Sequence, residues 1–173
     1  MRLTIKSTIL IPLFILISQA CGVYSFTGTT ITAESISINT FYNDASNGPV
    51  NLGVTFTDKL RDYFQQNTSL AQVDADGELQ MEGSIASYRL TPVAPSAATS
   101  DQSRDVANLT RLSITIKVEY VNLENEDFSF NKNFSQFADF NSDLGLAVVE
   151  DALIDEIFEQ IILDIFNASV ANW

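Results

Sequence analysis

The sequence predicts an α+β protein built as a two-layer sandwich, with a four-stranded, mainly antiparallel sheet and two helices on one face, in the order β-α-β-β-β-α. Two hydrophobic periods carry this prediction. Stretches in which apolar and polar residues alternate are typical of half-buried strands. They are interrupted by two stretches in which apolar residues recur every three or four positions, as they do on one side of a helix. Because each element has an apolar side to bury, both helices are expected to cover the sheet.

The first strand and the first helix are predicted from residues 32–66. Ile36 and Ile38 alternate with polar neighbours between Thr32 and Phe41, and the turn-forming sequence NDASNGP then ends the strand. Apolar residues recur at helical spacing from Leu52 to Gln66, which indicates an amphipathic helix. The residues between this helix and position 78 are predicted to form a polar connection.

Three strands of an antiparallel meander are predicted further along the chain. The first covers residues 78–90, and the second has apolar residues at every even position of 112–120. The acidic segment 122–127 is predicted to turn the chain into a third strand, rich in phenylalanine, that ends near Phe140. The segment 91–108 between the first two strands is predicted to be a long mobile loop. It is interpreted either as a contact arm for a partner or as an unconstrained hairpin loop.

The last element is predicted to be a long helix from about Asp143 to Ser169, with Ser142 as its N-cap. Its apolar residues form two adjacent ridges, a stripe wider than packing against one sheet requires. Two interpretations stay open. The whole stripe belongs to the core and the acidic back is solvated, or part of the second ridge contacts a partner protein. The second ridge consists of Ile154, Phe158, Ile162 and Phe166.

Composition excludes several classes of function. The 173 residues include 22 acidic and 9 basic residues and no histidine, for a formal net charge of −13. Such a charge disfavours nucleic-acid binding and a purely electrostatic hold on anionic lipid. Without histidine, a histidine-based triad and an ordinary zinc site are excluded, and no cofactor is expected. A hydrolase with paired carboxylates stays open, although the acidic residues fall mostly on helix backs and in turns.

The first 22 residues are typical of a secretory signal. Arg2 and Lys6 precede an apolar run from Ile9 to Ile17, which is about half of the ~20 residues needed to span a bilayer. Small and polar residues follow and lead to Cys21, the only cysteine of the chain. Removal of the signal takes away both basic residues and leaves a mature chain with seven basic residues and a formal charge of −15.

A cysteine directly after such a signal resembles the acceptor residue of bacterial lipoproteins. The resemblance implies a signal peptide at 1–20, a diacylglycerol on the thiol of Cys21 and a further acyl chain, such as palmitate, on the new amino terminus. It also implies one mature domain at 21–173 that begins with a flexible tether and is held at a membrane by its lipid. Ser18 departs from the pattern, which has an aliphatic residue at that place. The alternative is a plain secreted protein with an accidental cysteine.

Three segments resemble the LptE family of Bacteroidetes-type bacteria. They are CGVYSFTGTTI after the signal, LGVTFTDKLRDYF in the first helix and the closing DIFNASVANW, and the similarity extends over most of the mature chain. The resemblance implies a noncatalytic outer-membrane lipoprotein on the periplasmic side. Its domain would lie within the lumen of an LptD-type β-barrel, help to assemble that barrel and bind lipopolysaccharide. The alternative is a lipid-anchored binding module for a peptide, a glycan or a cell-wall component.

The resemblance to this family also implies that basic residues contact lipopolysaccharide, and the mature chain has only seven of them. Arg111 and Lys117 fall on the polar face of the clearest predicted strand, and Arg89 and Arg104 are near the long loop. Arg111 and Lys117 are therefore the candidate contacts to lipopolysaccharide or to the partner barrel. Ordinary surface charge is the alternative, and no catalytic, cofactor-binding or metal-binding residue is expected.

Overall fold

The elements of the fold follow the two hydrophobic periods of the sequence. A computed structural model describes residues 32–93 and 108–170. These residues form, in chain order, β1 (Ser35–Ile38), β2 (Tyr42–Asn43), α1 (Leu52–Asn67), β3 (Ala71–Val73), β4 (Leu79–Pro92), β5 (Leu109–Asn122), β6 (Phe130–Asn141) and α2 (Leu146–Ser169). Two short 3₁₀ helices, Glu126–Phe128 and Ser142–Leu144, precede β6 and α2.

The sheet has six strands, so the prediction of four strands in the order β-α-β-β-β-α is wrong. Its strands lie in the order β3-β1-β4-β5-β6. Strand β2 also pairs with β4, along the part of β4 that follows the part paired with β1. The predicted antiparallel meander is confirmed in β4, β5 and β6. By contrast, β1 runs parallel to β3 and β4, and β2 runs parallel to β4.

The predicted first strand, Thr32–Phe41, is shortened to β1 because the chain leaves the sheet near Phe41, and the unpredicted strand β2 begins directly after that residue. The amide of Phe41 donates a hydrogen bond to Thr57 Oγ1 of α1 at 2.9 Å, and the Phe41 ring is buried. A Cβ atom at Gly83 of β4 would collide with the Phe41 ring and with the carbonyl oxygen of Lys117. Glycine at this position therefore makes room for the buried ring, and the chain then returns to β4 as β2.

The additional edge strand β3 shows no hydrophobic period, since all three of its residues are exposed. It joins the sheet through its backbone, where the amide of Ala71 donates to the carbonyl oxygen of Glu34 at 2.8 Å. The connection after the first helix was predicted to be polar with a short apolar stop at Leu70 and Val73, and the strand β3 within it was not predicted.

Both helices cover one face of the sheet, as predicted, and the alternation of β5 creates that face. Its even-numbered side chains are at most 1% exposed: Leu112, Ile114, Ile116, Val118 and Tyr120. Both apolar ridges of α2 are directed into the core. In the second ridge, the Phe158 ring contacts the Phe56 ring edge to face, with 5.0 Å between centroids, and Phe166 contacts Phe64 at 5.4 Å.

The second ridge of α2 is therefore part of the core and packs against α1. Ile154, Phe158 and Ile162 are at most 5% exposed within this single chain. The apolar stripe of α2 is wider than packing against a sheet requires because α2 packs on the sheet and on the neighbouring helix α1 at the same time. The interpretation of part of this ridge as a partner contact stays a prediction, since Phe166 is only partly buried.

The last helix begins at Leu146 instead of Asp143, and Ser142 is not its N-cap. Gly145 occupies the N-cap position with φ 72°, in the left-handed region that favours glycine, and this interrupts the helical run. The Ser142 hydroxyl instead pairs with Thr110 Oγ1 of β5 at 2.7 Å.

Two tyrosines tie α2 to the sheet near its two ends. Tyr88 of β4 donates from its hydroxyl to Glu150 Oε1 at 2.6 Å, and Tyr120 donates to the carbonyl oxygen of Ser169 at 3.3 Å. Burial raises the pKa of the Tyr88 hydroxyl, and the hydrogen bond to Glu150 raises it further. Burial raises the pKa of Tyr120 to about 12. Both phenols therefore stay protonated as donors at neutral pH.

Within the described ranges, neither helix combines the length and the apolarity that crossing a bilayer requires. The predicted signal peptide at 1–20, Cys21 and most of the predicted 91–108 loop lie outside the described residues.

Phe158→Ala should lower the free energy of unfolding by about 3–5 kcal/mol, because it removes a fully buried ring from the contact between α1 and α2. Val148→Ala is the matched control on the same helix, since Val148 is 78% exposed, and it should change stability by less than about 0.5 kcal/mol. Urea denaturation followed by circular dichroism measures both. Equal effects of the two substitutions would contradict the packing described.

Candidate contact surface on the open face of the sheet

The face of the sheet opposite the helices is polar and accessible. It is called the open face below. By strand register its side chains include Glu82, Ser84 and Arg89 of β4; Arg111, Ser113, Thr115, Lys117 and Glu119 of β5; and Asn131, Asn133, Ser135, Phe137 and Asp139 of β6. Apolar and polar residues alternate along β5. Because successive side chains of a strand point to opposite faces, the polar residues of β5 point to the open face.

Arg111 is held in place at one end of the open face. It lies directly opposite Asp139 in the β5–β6 register, and its Nε and Nη2 donate to the two carboxylate oxygens at 2.7 and 2.8 Å. Its guanidinium carbon lies 3.6 Å from the centroid of the Phe137 ring. Bidentate pairing and stacking on an aromatic ring both orient a guanidinium strongly. The three side chains therefore form an ordered, exposed platform.

Electrostatics at this end follow from the ion pair. The hydrogen bonds from Arg111 hold the pKa of the Asp139 carboxyl below its ordinary value, and the same bonds raise the pKa of Arg111. Arg111 is thus a compensated cation, and an incoming phosphate would have to displace Asp139 to obtain the same two donors.

Lys117 lies at the other end of the open face in an acidic setting. It lines a shallow cleft of about 210 Å³ together with Tyr42, Asp44, Glu82 and Glu119, among others. Three carboxylates around one ammonium leave the cleft with a net negative charge. A cleft of this kind disfavours a phosphate group and suits a polar or cationic contact.

The structure places Arg111 and Lys117 on the same face of β5 without bringing them together. Six residues along one strand separate them, which corresponds to roughly 20 Å. One phosphate group cannot contact both. Arg89 lies on the same face, opposite Ser113, whereas Arg104 lies outside the described residues. The assignment of Arg111 and Lys117 as contacts stays a prediction.

Cross-strand hydrogen bonds connect exposed side chains of the open face. The hydroxyls of Thr115 and Ser135 pair at 3.0 Å, and Asn131 donates to Glu119 Oε2 at 3.2 Å. Side chains that are already paired lose little conformational freedom when a partner covers them. The open face is consequently preorganised for contact with another polar surface.

Three residues of this surface were not predicted from the sequence: Tyr42, Phe137 and Asp139. Phe137 occupies an odd position in a strand whose other phenylalanines, at 130, 134 and 140, are at even positions. This parity places it on the polar face and could have been read from the sequence. The position of Tyr42 could not, since it depends on the chain's return to the sheet as β2. Tyr42 is 73% exposed and Phe137 is 47% exposed.

Within the described ranges the buried polar residues are Ser37, Thr57, Asn122 and Ser169, so no carboxylate of these ranges is buried. No group of three or more metal-binding side chains in these ranges is arranged to hold a metal ion.

Comparison with known proteins identifies the family. A family model described as "LptE: Lipopolysaccharide-assembly" matches residues 33–169, nearly the whole described domain. The chain belongs to the LptE family. The resemblance inferred from the sequence is confirmed, and the LptE family is a family of noncatalytic lipopolysaccharide-assembly lipoproteins. No curated protein matches the chain significantly.

Solved structures of several bacterial proteins share this fold. A hypothetical protein from Chlamydia trachomatis has 10% identity and a TM-score of 0.53, with 81% of this chain and 99% of that chain covered. An uncharacterized lipoprotein B from Nitrosomonas europaea has 14% identity and a TM-score of 0.51, with 80% and 84% covered. A minor lipoprotein from Acinetobacter baumannii has 9% identity and a TM-score of 0.50, with 81% and 94% covered. At these identities the likeness shows the fold alone.

Carbon-detected NMR should find that the Asp139 carboxyl titrates below the ordinary value of about 3.9. Arg111→Gln should return the titration midpoint toward that value, because the lowered pKa depends on the hydrogen bonds from Arg111. Since the pKa is lowered in the fold, the stability that the pair contributes is present above the unfolded pKa. It is lost as the pH falls through the folded pKa.

Lys117→Gln is the matched control for this titration. It removes the same charge from the same face of β5, but at roughly 20 Å, which is beyond the ~10 Å Debye length at 0.1 M salt. The Asp139 midpoint should stay unchanged in this variant. An identical midpoint in the wild-type chain and in Arg111→Gln would show that the pair does not form.

Proposed function

We propose that this chain is an outer-membrane lipoprotein that partners an LptD-type β-barrel in the assembly and insertion of lipopolysaccharide. The observation that carries the proposal is the family match over residues 33–169. The domain itself would lie on the periplasmic side, within the lumen of the barrel, and would act as a plug and as an aid to barrel assembly.

The open face supports this role through its physical character. The lumen of a transmembrane barrel is polar, so a plug needs a polar outer surface that does not have to unfold or reorganise in order to fit. The open face meets this need with paired hydroxyls and with basic residues balanced by nearby carboxylates. Phe137 and Tyr42 add exposed rings, and aromatic residues are enriched among the side chains that dominate binding energies.

Arg111 and Lys117 are proposed as contacts to the barrel, in preference to lipopolysaccharide. Arg111 is compensated by Asp139, and Lys117 is surrounded by carboxylates, so both are better suited to polar protein groups than to the phosphates of lipopolysaccharide. Direct lipopolysaccharide binding at either residue would require a rearrangement of these pairs.

The proposed anchor is a lipid on Cys21, after removal of residues 1–20. The ten residues 22–31 then separate the anchor from the first described residue. A fully extended chain of this length reaches about 35 Å, which would allow the domain to enter a barrel while its lipid stays in the membrane. The acyl chains would contribute about 0.8 kcal/mol per buried methylene, and two or more chains make a stable anchor.

Purification of the tagged full-length chain from gently solubilised native outer membranes tests the partnership. A large β-barrel protein should copurify and be identified by mass spectrometry. Phe137→Glu should reduce its recovery about tenfold, as expected for loss of an exposed aromatic contact. Val148→Glu introduces the same charge at an exposed site on α2 and should leave recovery unchanged. Recovery of the unmodified chain without a barrel would contradict the proposed function.

The lipid anchor is tested separately with Cys21→Ser. Mass spectrometry of the mature protein should show loss of the acyl chains, and the protein should move from the membrane fraction to the soluble periplasmic fraction. A Cys21→Ser protein that is still acylated would contradict the anchor assignment, and it would leave the test of the barrel partner unaffected.

A further inference from the structure

A second surface lies on the outer side of the helical layer, away from the open face. A groove of about 420 Å³ runs between α1 and α2, within the range of ~300–1,000 Å³ that is usual for binding clefts. It is lined by Lys59, Asp62, Tyr63 and Gln66 of α1 and by Glu159, Ile162 and Leu163 of α2. We infer that this groove binds a cationic amphipathic helix of a partner protein.

The floor of the groove is apolar and firmly placed. The Tyr63 ring packs edge to face against Phe166, with 5.2 Å between centroids, and Ile162 is 3% exposed. Leu163 lines the groove with them and is 46% exposed, although it is a large aliphatic side chain. Covering such a side chain stabilises a complex by removing apolar area from water. The floor therefore favours an aliphatic side chain of the partner.

The rim of the groove is acidic. Asp62 and Glu159 line it from the two helices, and the one basic residue that lines it, Lys59, is already paired with Asp155 at 3.2 Å. A basic side chain of the partner would find two carboxylates within the same groove. The carboxylates of the rim therefore favour a cationic partner over an anionic one.

The charge of the whole helical layer also favours a cationic partner. Helix α2 carries Glu150, Asp151, Asp155, Glu156, Glu159 and Asp164 and contains no lysine or arginine. On α1, the guanidinium of Arg61 donates to the carbonyl oxygen of Ile38 and is thereby held toward the sheet. The resulting negative field attracts a cationic partner and repels anionic lipid headgroups.

A helix is the occupant that fits this combination of groove and charge. An apolar groove between two helices accepts the apolar ridge of a third, as in other helix-in-groove complexes. An amphipathic helix with leucines on one side and lysines on the flanks would place aliphatic groups on Tyr63 and Leu163. The same helix would bring ammonium groups to Asp62 and Glu159.

Fluorescence anisotropy with a defined probe tests this inference on the full-length chain, held in nanodiscs of zwitterionic lipid. The probe is a labelled helix-forming peptide with leucines along one side and lysines along the other, and empty nanodiscs provide the blank. The chain should bind this peptide at least tenfold more tightly than the same peptide with glutamates in place of lysines. Binding should weaken as salt rises through ~0.15 M, because exposed charges contribute.

Two acidic residues of α2 form a matched pair for locating the site. Glu159→Lys changes the rim of the groove and should weaken peptide binding about tenfold. Glu156→Lys makes the same charge change on the same helix, but outside the groove lining, and should weaken peptide binding less than about twofold. Leu163→Lys should also weaken binding about tenfold, and Val148→Lys, exposed on the same helix but outside the groove, should not.

Several results would overturn the inference. Absence of peptide binding would do so, and so would equal binding of the lysine and glutamate peptides. Equal losses from Glu156→Lys and Glu159→Lys would show general charge attraction without a groove. Light scattering supplies the remaining check, because a stable dimer that Leu163→Lys converts to a monomer would show that a second copy of this chain fills the groove. Each result is independent of whether a barrel copurifies with the chain.

Discussion

The alternation of side chains along β5 is the constraint on which the rest of the structure depends. Five apolar residues at even positions point to one face, where both helices cover them, and the polar residues between them necessarily point to the other face. A shift of pairing by one residue would exchange the two faces and bury charge, so the pattern fixes the register of the meander. One sequence feature thus sets the core and the surface that is left for a partner.

The elements with a long, regular period could be predicted from the sequence. Helix α1, the meander of β4, β5 and β6, and the end of α2 at Ser169 lie close to their expected places. The edge strands could not be predicted, because Ala71–Val73 are held by backbone hydrogen bonds to β1 and carry no apolar pattern. The break between β1 and β2 depends on the burial of Phe41 beside Gly83, two residues that are more than forty positions apart in the sequence.

The candidate site was only partly visible in the sequence for a related reason. Alternation was enough to place Arg111 and Lys117 on one face, but their surroundings come from neighbouring strands. The register of β6 brings Asp139 and Phe137 to Arg111, and β2 brings Tyr42 beside Lys117. Those neighbours change the chemistry, since two cations that looked available for phosphate are compensated by carboxylates. The wide apolar stripe of α2 likewise needed the position of α1 before it could be interpreted as core.

The two layers of this LptE family member present surfaces of different character. The open face is polar and nearly balanced in charge, which suits contact with a polar lumen. The helical layer is strongly acidic and carries an apolar groove, which suits a cationic segment. The proposed barrel contact and the proposed helix-binding groove therefore use different surfaces of the same domain.

The most direct test of the central claim is the accessibility of the open face in the native assembly. Asn133→Cys places a thiol on an exposed position opposite Lys117, and its reaction with a maleimide is read by mass spectrometry at that position. The thiol should react fully in the isolated chain and should be protected in the complex extracted gently from outer membranes. Equal reaction in the two preparations would show that the open face is not where this protein meets its partner.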